Sequence, residues 1–561
     1  MNIKHFILGI LVVAGTSASA QTRKKATVAP AAATSNGIAR PKLVVGIVID
    51  QMRWDYLYRY YDRYQAGGLK RMLNEGFTCE NTQIDYLPTE TGPGHSCIYT
   101  GSVPAIHGIA ANDFIEQATG RHLYCAGDST VQSVGSISPA GQMSPRNLQV
   151  TTITDELRLG TNFRSKVIGI SLKDRGAILP AGHTANAAYW FDDASGNFIS
   201  STYYMTDLPA WVKTFNSSGK LQSYLGQKWN TLYPIDTYVQ STTDNSPYEG
   251  KYRGETAPVF PHDLSVISKK ENSGNGAIRS SPFGISLSID FAEKAIEAEK
   301  LGQNTVTDFL ALSLSSTDYV GHQFGPNAIE TEDTYLRLDK DLAAFFSYLD
   351  AKIGKGNYTV FLTADHGAAH NPKFLQDRNV PAGYVNPGIM ARDLNTLLEK
   401  KYDAKGLVLD ANNYMINFNN VLIANKKLSI DAIKADCIDW LNKQSTVLFA
   451  VDMANVNQAN LPDWIKTRII NGYSKEFSGA IQVILKPGYY AGSPNATGTT
   501  HGTWTAYDTH IPLVFMGWGV QHGALNRETH MTDISATLAA LLHLQRPDGC
   551  IGNPISELIK R

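Results

Sequence analysis

No Cys-x-x-Cys pair occurs in the 561 residues, which excludes a thiolate zinc finger. The five cysteines, Cys79, Cys97, Cys125, Cys437 and Cys550, are an odd number, so at least one thiol has no intrachain partner, and no pairing scheme follows from their spacing. An excess of either charge is also missing. Lys+Arg is 50, Asp+Glu is 51, and the formal net charge is -1. Without an overall positive field the chain does not read as a general nucleic-acid binder, and no nucleic acid is expected as a specific partner. There is no internal repeat and no long low-complexity segment. No segment has the roughly 20 consecutive apolar residues of a membrane span. The longest apolar stretch, Phe6 to Ala14, follows Lys4 and precedes Ala18-Ser19-Ala20. That order is the pattern of a cleaved secretory signal over residues 1–20, with no membrane attachment after cleavage. A periplasmic or secreted protein is expected.

What is present is ordinary globular composition, 43% apolar and 18% charged. Residues 21–40 are rich in Ala, Thr, Ser and Lys and read as a flexible leader. From Pro41 the character changes. Leu43 to Ile49 is a continuous apolar run dominated by Val and Ile, the mark of a strand buried on both faces. Similar runs are Lys166 to Leu172, Phe309 to Leu314, Tyr358 to Thr363, Ile481 to Leu485 and Ile511 to Met516. Helical periodicity over Ile285 to Leu301 and Glu330 to Leu349 lies between them. This alternation predicts an α/β fold with a mainly parallel central sheet, helices on both faces, and one catalytic domain over 41–555. Long aromatic and polar stretches, about 183–280 and 371–480, read as cap-like insertions.

In such a sheet ligands bind at the carboxyl ends of the strands. Polar residues collect there. Asp50 ends the first run; Asp318 and His322 follow the third; Asp365 and His366 follow the fourth; Lys173 and Arg175 follow the second. A later Thr500-His501-Gly502 adds a histidine. Taken singly, such an Asp is most often a turn former or helix cap. Together, three aspartates and three histidines suit two metal ions, each held by three groups.

The segment Pro88-Thr89-Glu90-Thr91-Gly92-Pro93-Gly94-His95 precedes a helix through Ile98 and Thr100. Thr91, two residues before Pro93, reads as its N-cap. A helix N-terminus attracts phosphate, and a Thr hydroxyl beside a zinc can be deprotonated to attack phosphorus. Ser96 is not a serine-hydrolase nucleophile: Gly94-His95-Ser96-Cys97-Ile98 lacks the second Gly of the elbow.

These residues, with Thr100-Gly101-Ser102-Val103-Pro104-Ala105-Ile106-His107-Gly108-Ile109, Asp318-x-x-x-His322 and Thr363-Ala364-Asp365-His366-Gly367, resemble the alkaline phosphatase superfamily. They are closest to its nucleotide pyrophosphatase/phosphodiesterase-like branch, over about residues 42 to 520. The resemblance implies two Zn2+ per chain and Thr91 as nucleophile. Asp318, His322 and His501 would bind one zinc. Asp50, Asp365 and His366 would bind the other, with Thr91 as a further ligand. It also implies that the second zinc activates Thr91. The first would stabilise the leaving oxygen and later position water against a phosphothreonine. Asn112 and Leu172-Lys173-Asp174-Arg175-Gly176 look like the phosphate-irrepressible exported alkaline phosphatase type, in which matching Asn, Lys and Arg contact the phosphoryl oxygens.

Charge supports that choice. A monoester transfers a dianionic group, which a lysine and a forked guanidinium suit; a diester has less use for them. The expected substrates are therefore small-molecule phosphate monoesters. The alternatives are a phosphodiesterase or nucleotide pyrophosphatase on the same fold, and a non-catalytic zinc or phosphate-binding protein. A sulfatase would need a Cys/Ser-x-Pro-x-Arg segment, which is absent. Trp190, Phe191, Tyr203 and Tyr204 are candidates for a pocket wall or for packing within the cap.

Overall fold

The structure, a computed structural model, describes residues 38–560. The expected signal segment, and all but the last three residues of the leader, lie outside the described residues.

The apolar runs form the strands predicted for them. The central sheet has ten strands: β1 Leu43–Ile49, β2 Phe77–Cys79, β3 Ser133–Val134, β4 Val167–Ser171, β5 Ala187–Asp192, β6 Asn197–Ser201, β7 Asp308–Leu314, β8 Tyr358–Thr363, β9 Leu513–Gly517 and β10 Gly523–Leu525. Their spatial order is β10-β2-β9-β8-β1-β7-β4-β5-β6-β3. The five strands β8-β1-β7-β4-β5 are mutually parallel. Every residue of β1, β7, β8 and β4 is buried, which is why these segments are apolar without alternation. Helices cover the sheet as two groups. Thr91–Thr100, Ile153–Gly160, Asp174–Ala181 and Asp533–Leu542 pack on one another, as do Phe283–Glu299 and Ile329–Leu349.

The flanks of the sheet are mixed. β9 runs antiparallel to β8, and β6 antiparallel to β5. A continuous apolar run marks burial on both faces but carries no direction, so sequence could not separate these cases. The first insertion was expected from about 183, yet β5 and β6 belong to the central sheet. Ile481–Leu485 is not a central strand either. It pairs in a separate four-stranded sheet with Val408–Asp410, Met415–Phe418 and Val447–Asp452. With helices Pro387–Tyr402 and Ile430–Asn442 this sheet builds a second core around Leu394, Ile416, Ile433 and Ile481. None of the five cysteines is in a disulfide. Among the described residues no helix is long and apolar enough to cross a membrane.

Register sets up the site. Ile49 stands opposite Leu314, and Val48 opposite Thr363. Ile170 stands opposite Leu312. Parallel strands in this register end together, so the residues that follow them emerge at one edge of the sheet.

Candidate metal centre

Asp50, the residues from Ser315, Lys173 and Asp365 all leave the sheet at this edge. Two trios gather there: Asp50, Asp365 and His366, and Asp318, His322 and His501. Within each trio one ligand atom per residue lies within 4.8 Å of the others. Helix Ser316–Phe324 turns Asp318 and His322 to the same side, as an i, i+4 spacing must. His501 arrives from a loop and stacks on His366, with ring centroids 3.6 Å apart.

All three imidazoles are oriented alike. His322 Nδ1 donates to Thr499 O (2.8 Å), His366 Nδ1 to Gly367 O (3.0 Å) and His501 Nδ1 to Thr89 O (2.6 Å). A carbonyl only accepts, so each Nδ1 carries a proton and each Nε2 faces the carboxylates. Burial lowers the pKa of His366. Burial, then the neighbouring His366 and His322, lowers that of His501. Both rings are held neutral, the form that binds metal. His322 moves the other way, because the Asp318 carboxylate at 3.1 Å overrides burial.

The first trio contains the strongest sign of a cation. Asp50 Oδ1 and His366 Nε2 are fully buried with no hydrogen-bond partner, and buried Asp365 Oδ2 has only a 3.3 Å approach from His95 Nδ1, whose nearer partner is Thr91 O. Leaving one buried polar atom unpaired costs about 1–3 kcal/mol. Three convergent ones, two carboxylate oxygens and one imidazole nitrogen, fit a divalent cation. Charge agrees, because three buried carboxylates, Asp50, Asp318 and Asp365, face a single lysine. Burial, reinforced by the Asp365 carboxylate, raises the Asp50 pKa well above the usual carboxylate range. A third trio, Asp85, Glu528 and His530, meets the same spacing at the surface, but there Asp85 already pairs with His530 at 2.5 Å.

Thr91 is buried, and Lys173 links its hydroxyl to both trios. This threonine is the first residue of helix Thr91–Thr100, not its cap; extended Glu90 takes the cap position, and no side chain caps the helix. The difference frees the hydroxyl. Lys173 Nζ lies 3.3 Å from Thr91 Oγ1 and 2.6 Å from both Asp50 Oδ2 and Asp318 Oδ2. Burial opposes its charge, but Asp318 and Asp50 keep the ammonium protonated above the usual lysine range. Asn112 Oδ1 accepts from Gly92 N–H (2.8 Å), which brings this amide to the helix start. Arg175 Nη1 donates to Tyr124 OH (3.0 Å), and the Tyr124 hydroxyl donates to Asp174. Arg175 and Lys173 share a cavity of about 950 Å³ with Tyr319, Trp190 and Phe191. Trp190 and Phe191 thus line a pocket. Tyr203 and Tyr204 instead pack edge to face on each other.

Sequence reading missed several supporting residues. Gln51, with φ 64, donates its backbone N–H to Asp365 Oδ1 (3.1 Å) and its side-chain amide to Asp318 Oδ1 (2.6 Å), joining the two trios. Only its place after Asp50 could have hinted at this. His95 spans Thr91 O and Ser313 Oγ, both at 2.9 Å. Arg279 donates to the Leu172 carbonyl (2.7 Å) and Tyr319 OH (3.2 Å), tying the Lys173 turn to the Asp318 helix. The first insertion also grips the segments that carry His322 and His501: Gly250 N–H donates to Gln323 O, and Gly498 N–H to Tyr248 O.

Gly94 permits the close approach of helix and metal loop. A Cβ there would lie 2.5 Å from Asp365 O and 2.7 Å from Asp365 Cβ. Gly94→Ala is expected to cost about 1–3 kcal/mol of stability through overpacking. Because the strain falls on Asp365, metal retained after dialysis should drop in parallel. Denaturant unfolding and metal content measure the two effects. A stable variant with full metal content would contradict this account of Gly94.

Comparison with known proteins agrees with this geometry. Residues 44–508 match the family model described as type I phosphodiesterase / nucleotide pyrophosphatase. The chain is 53% identical to the alkaline phosphatase PhoV of Synechococcus elongatus over all of both chains. It is 48% identical to the alkaline phosphatase PafA of Elizabethkingia meningoseptica, over 100% of this chain and 99% of that one. A Myroides odoratus protein named as a calcium-transporting ATPase is 57% identical over 94% of this chain and 96% of its own. The crystal structure of wild-type PafA superposes with a TM-score of 0.91 over 94% of this chain and all of that one. A PafA variant substituted at a threonine, an asparagine, a lysine and an arginine matches equally well. From the two trios at the sheet edge, the buried threonine that Lys173 joins to them and these matches, it follows that the chain belongs to the type I phosphodiesterase / nucleotide pyrophosphatase family of the alkaline phosphatase superfamily.

Proposed function

We propose that this protein is an exported alkaline phosphatase that hydrolyses phosphate monoesters through a phosphothreonine at Thr91. The observation that carries the reading is the position of Lys173, an ammonium 3.3 Å from the Thr91 hydroxyl oxygen and 2.6 Å from a carboxylate of each trio. A phosphate monoester transfers a dianionic group, and fixed positive charge beside the nucleophile serves that group more than a diester's monoanion. The four residue types substituted in the PafA variant are those of Thr91, Asn112, Lys173 and Arg175. The signal-like pattern from Lys4 to Ala20 supports export to the periplasm or beyond.

Thr91 Oγ1 loses its proton to water, a change favoured by the adjacent ammonium. The oxygen attacks phosphorus, the ester P–O bond breaks, and the alcohol leaves with a proton from water. Lys173, Arg175 and the Asn112 amide orient the non-bridging oxygens. A water then attacks phosphorus and gives up a proton as the Oγ1–P bond breaks, Thr91 Oγ1 takes a proton back from water, and inorganic phosphate is released. Two Zn2+, one with Asp50, Asp365, His366 and Thr91 and one with Asp318, His322 and His501, would supply Lewis-acid charge beside the nucleophile and the leaving oxygen when bound.

The test is kcat/KM for an aryl phosphate monoester and its methyl diester, for wild type and Lys173→Ala/Arg175→Ala. The monoester should be preferred, and the double variant should lose about 10²-fold or more on the monoester alone. A diester preference, or equal losses on both, would establish the phosphodiesterase alternative. Phosphate release from ATP belongs in the same assay. Its terminal phosphoryl group is also a dianion, and the Myroides relative is named for ATP hydrolysis.

A further inference from the structure

Beside the metal centre lies a second, smaller groove of about 400 Å³. Its inner wall is Glu90, Asn112, Thr500 and His501. Its outer wall comes from the second insertion, with Asp410, Asn413 and Tyr414. The groove therefore begins between Asn112, assigned to the phosphoryl group, and His501, assigned to the leaving-oxygen side. An ester seated against both sends its alcohol into this space.

The groove differs in charge from the cavity that holds Lys173 and Arg175. No lysine or arginine lines it; its acidic side chains are Glu90, Asp113 and Asp410, with His122 beside them. Asparagines fill much of the rest: Asn112, Asn412, Asn413 and Asn417. With Oδ1 engaged by Gly92 N–H, Asn112 keeps its amide N–H2 as donor. Such a wall offers hydrogen bonds in both directions and a negative potential.

The outer wall is held in place against strain. Asn413 and Tyr414 are consecutive left-handed residues, with φ 55 and 57. Asn tolerates this region, but a bulky Tyr is an outlier there. Cross-contacts enforce it. Asn413 Nδ2 donates to Asp113 O (2.7 Å), Ala491 N–H donates to Tyr414 OH (3.1 Å), and Gln482 donates to Tyr414 O (2.9 Å). The ring lies over Gly502, next to His501. Backbone strain kept by its surroundings is characteristic of ligand-contact positions.

We infer that this groove holds the alcohol part of the substrate and selects uncharged or cationic hydroxylated alcohols against anionic ones, with Asp113 and Asp410 as the discriminating charges. The inference rests on the phosphatase reading above. Each carboxylate in the wall repels an anionic alcohol and attracts a cationic one, an effect screened by salt.

The experiment uses the full, zinc-loaded protein with phosphocholine, glycerol 3-phosphate and 3-phosphoglycerate, whose alcohols are cationic, neutral and carboxylate-bearing. At low salt kcat/KM should fall in that order, the extremes differing by about tenfold or more. Asp113→Asn and Asp410→Asn should each narrow the spread, and added salt should do the same in wild type. Asp113 is exposed, so its variant tests charge without disturbing the fold. Equal kcat/KM for the three esters in wild type, or a spread that survives both substitutions, overturns the inference while aryl phosphate hydrolysis keeps the phosphatase reading. Failure on aryl phosphate as well overturns both.

Discussion

Thr91→Ala is expected to lower kcat/KM for an aryl phosphate monoester by about 10³-fold or more, with little change in stability. The size follows from removing a covalent nucleophile, whose loss in other hydrolases leaves only the catalysis due to binding and fixed charge. Stability should hold because the Thr91 hydroxyl does not cap its helix. Thr91→Ser keeps an oxygen at the same atom and should retain most of the activity. Acid-quenched wild type should carry one phosphate on Thr91 by mass spectrometry, and Thr91→Ala none. If the alanine variant turned over within tenfold of wild type, or the phosphate sat on another residue, the nucleophile assignment would be wrong.

Stripping metal is the second large effect. After dialysis against a strong chelator the protein should lose activity and melt about 5–10 °C lower. Two sites, each with metal at about 100 times its dissociation constant, contribute about 2.7 kcal/mol apiece. The structural cause is local: Asp50, Asp318 and Asp365 are buried together against one ammonium. Zn2+ should restore both properties, with about two ions per chain by elemental analysis. Mg2+ should restore neither, since it prefers an octahedral oxygen shell and keeps its waters. An unchanged melting temperature and full activity after chelation would exclude a resident metal centre.

Much of this architecture was legible in advance. Leu43–Ile49, Asp308–Leu314 and Tyr358–Thr363 read as doubly buried strands because nothing polar interrupts them, and the structure pairs them side by side. The polar residues just beyond them could be named as candidate ligands because parallel strands deliver their carboxyl ends to one edge. Features that depend on direction or on loop course were not legible. β9 is as apolar as the parallel strands, yet Phe515 faces Phe361 in antiparallel register. Ile481–Leu485 looks like a central strand, but its partners Met415–Phe418 and Val447–Asp452 lie in the same insertion.

The sequence by itself singled out the residues proposed to carry the chemistry: Asp50, Asp318, Asp365, His322, His366, His501, Thr91, Lys173 and Arg175. It did so because residue type and place after a buried run are local properties of the chain. Tertiary structure alone decided how those residues are held. Gln51 bridges the trios only because its left-handed backbone turns the amide toward Asp318. Arg279 reaches Leu172 from 107 residues away, and Thr89 orients His501 across 412. The acidic groove exists only because an insertion with its own core folds back over Asn112 and His501. Such contacts join residues far apart in the chain, and neither periodicity nor local spacing encodes where a long segment returns.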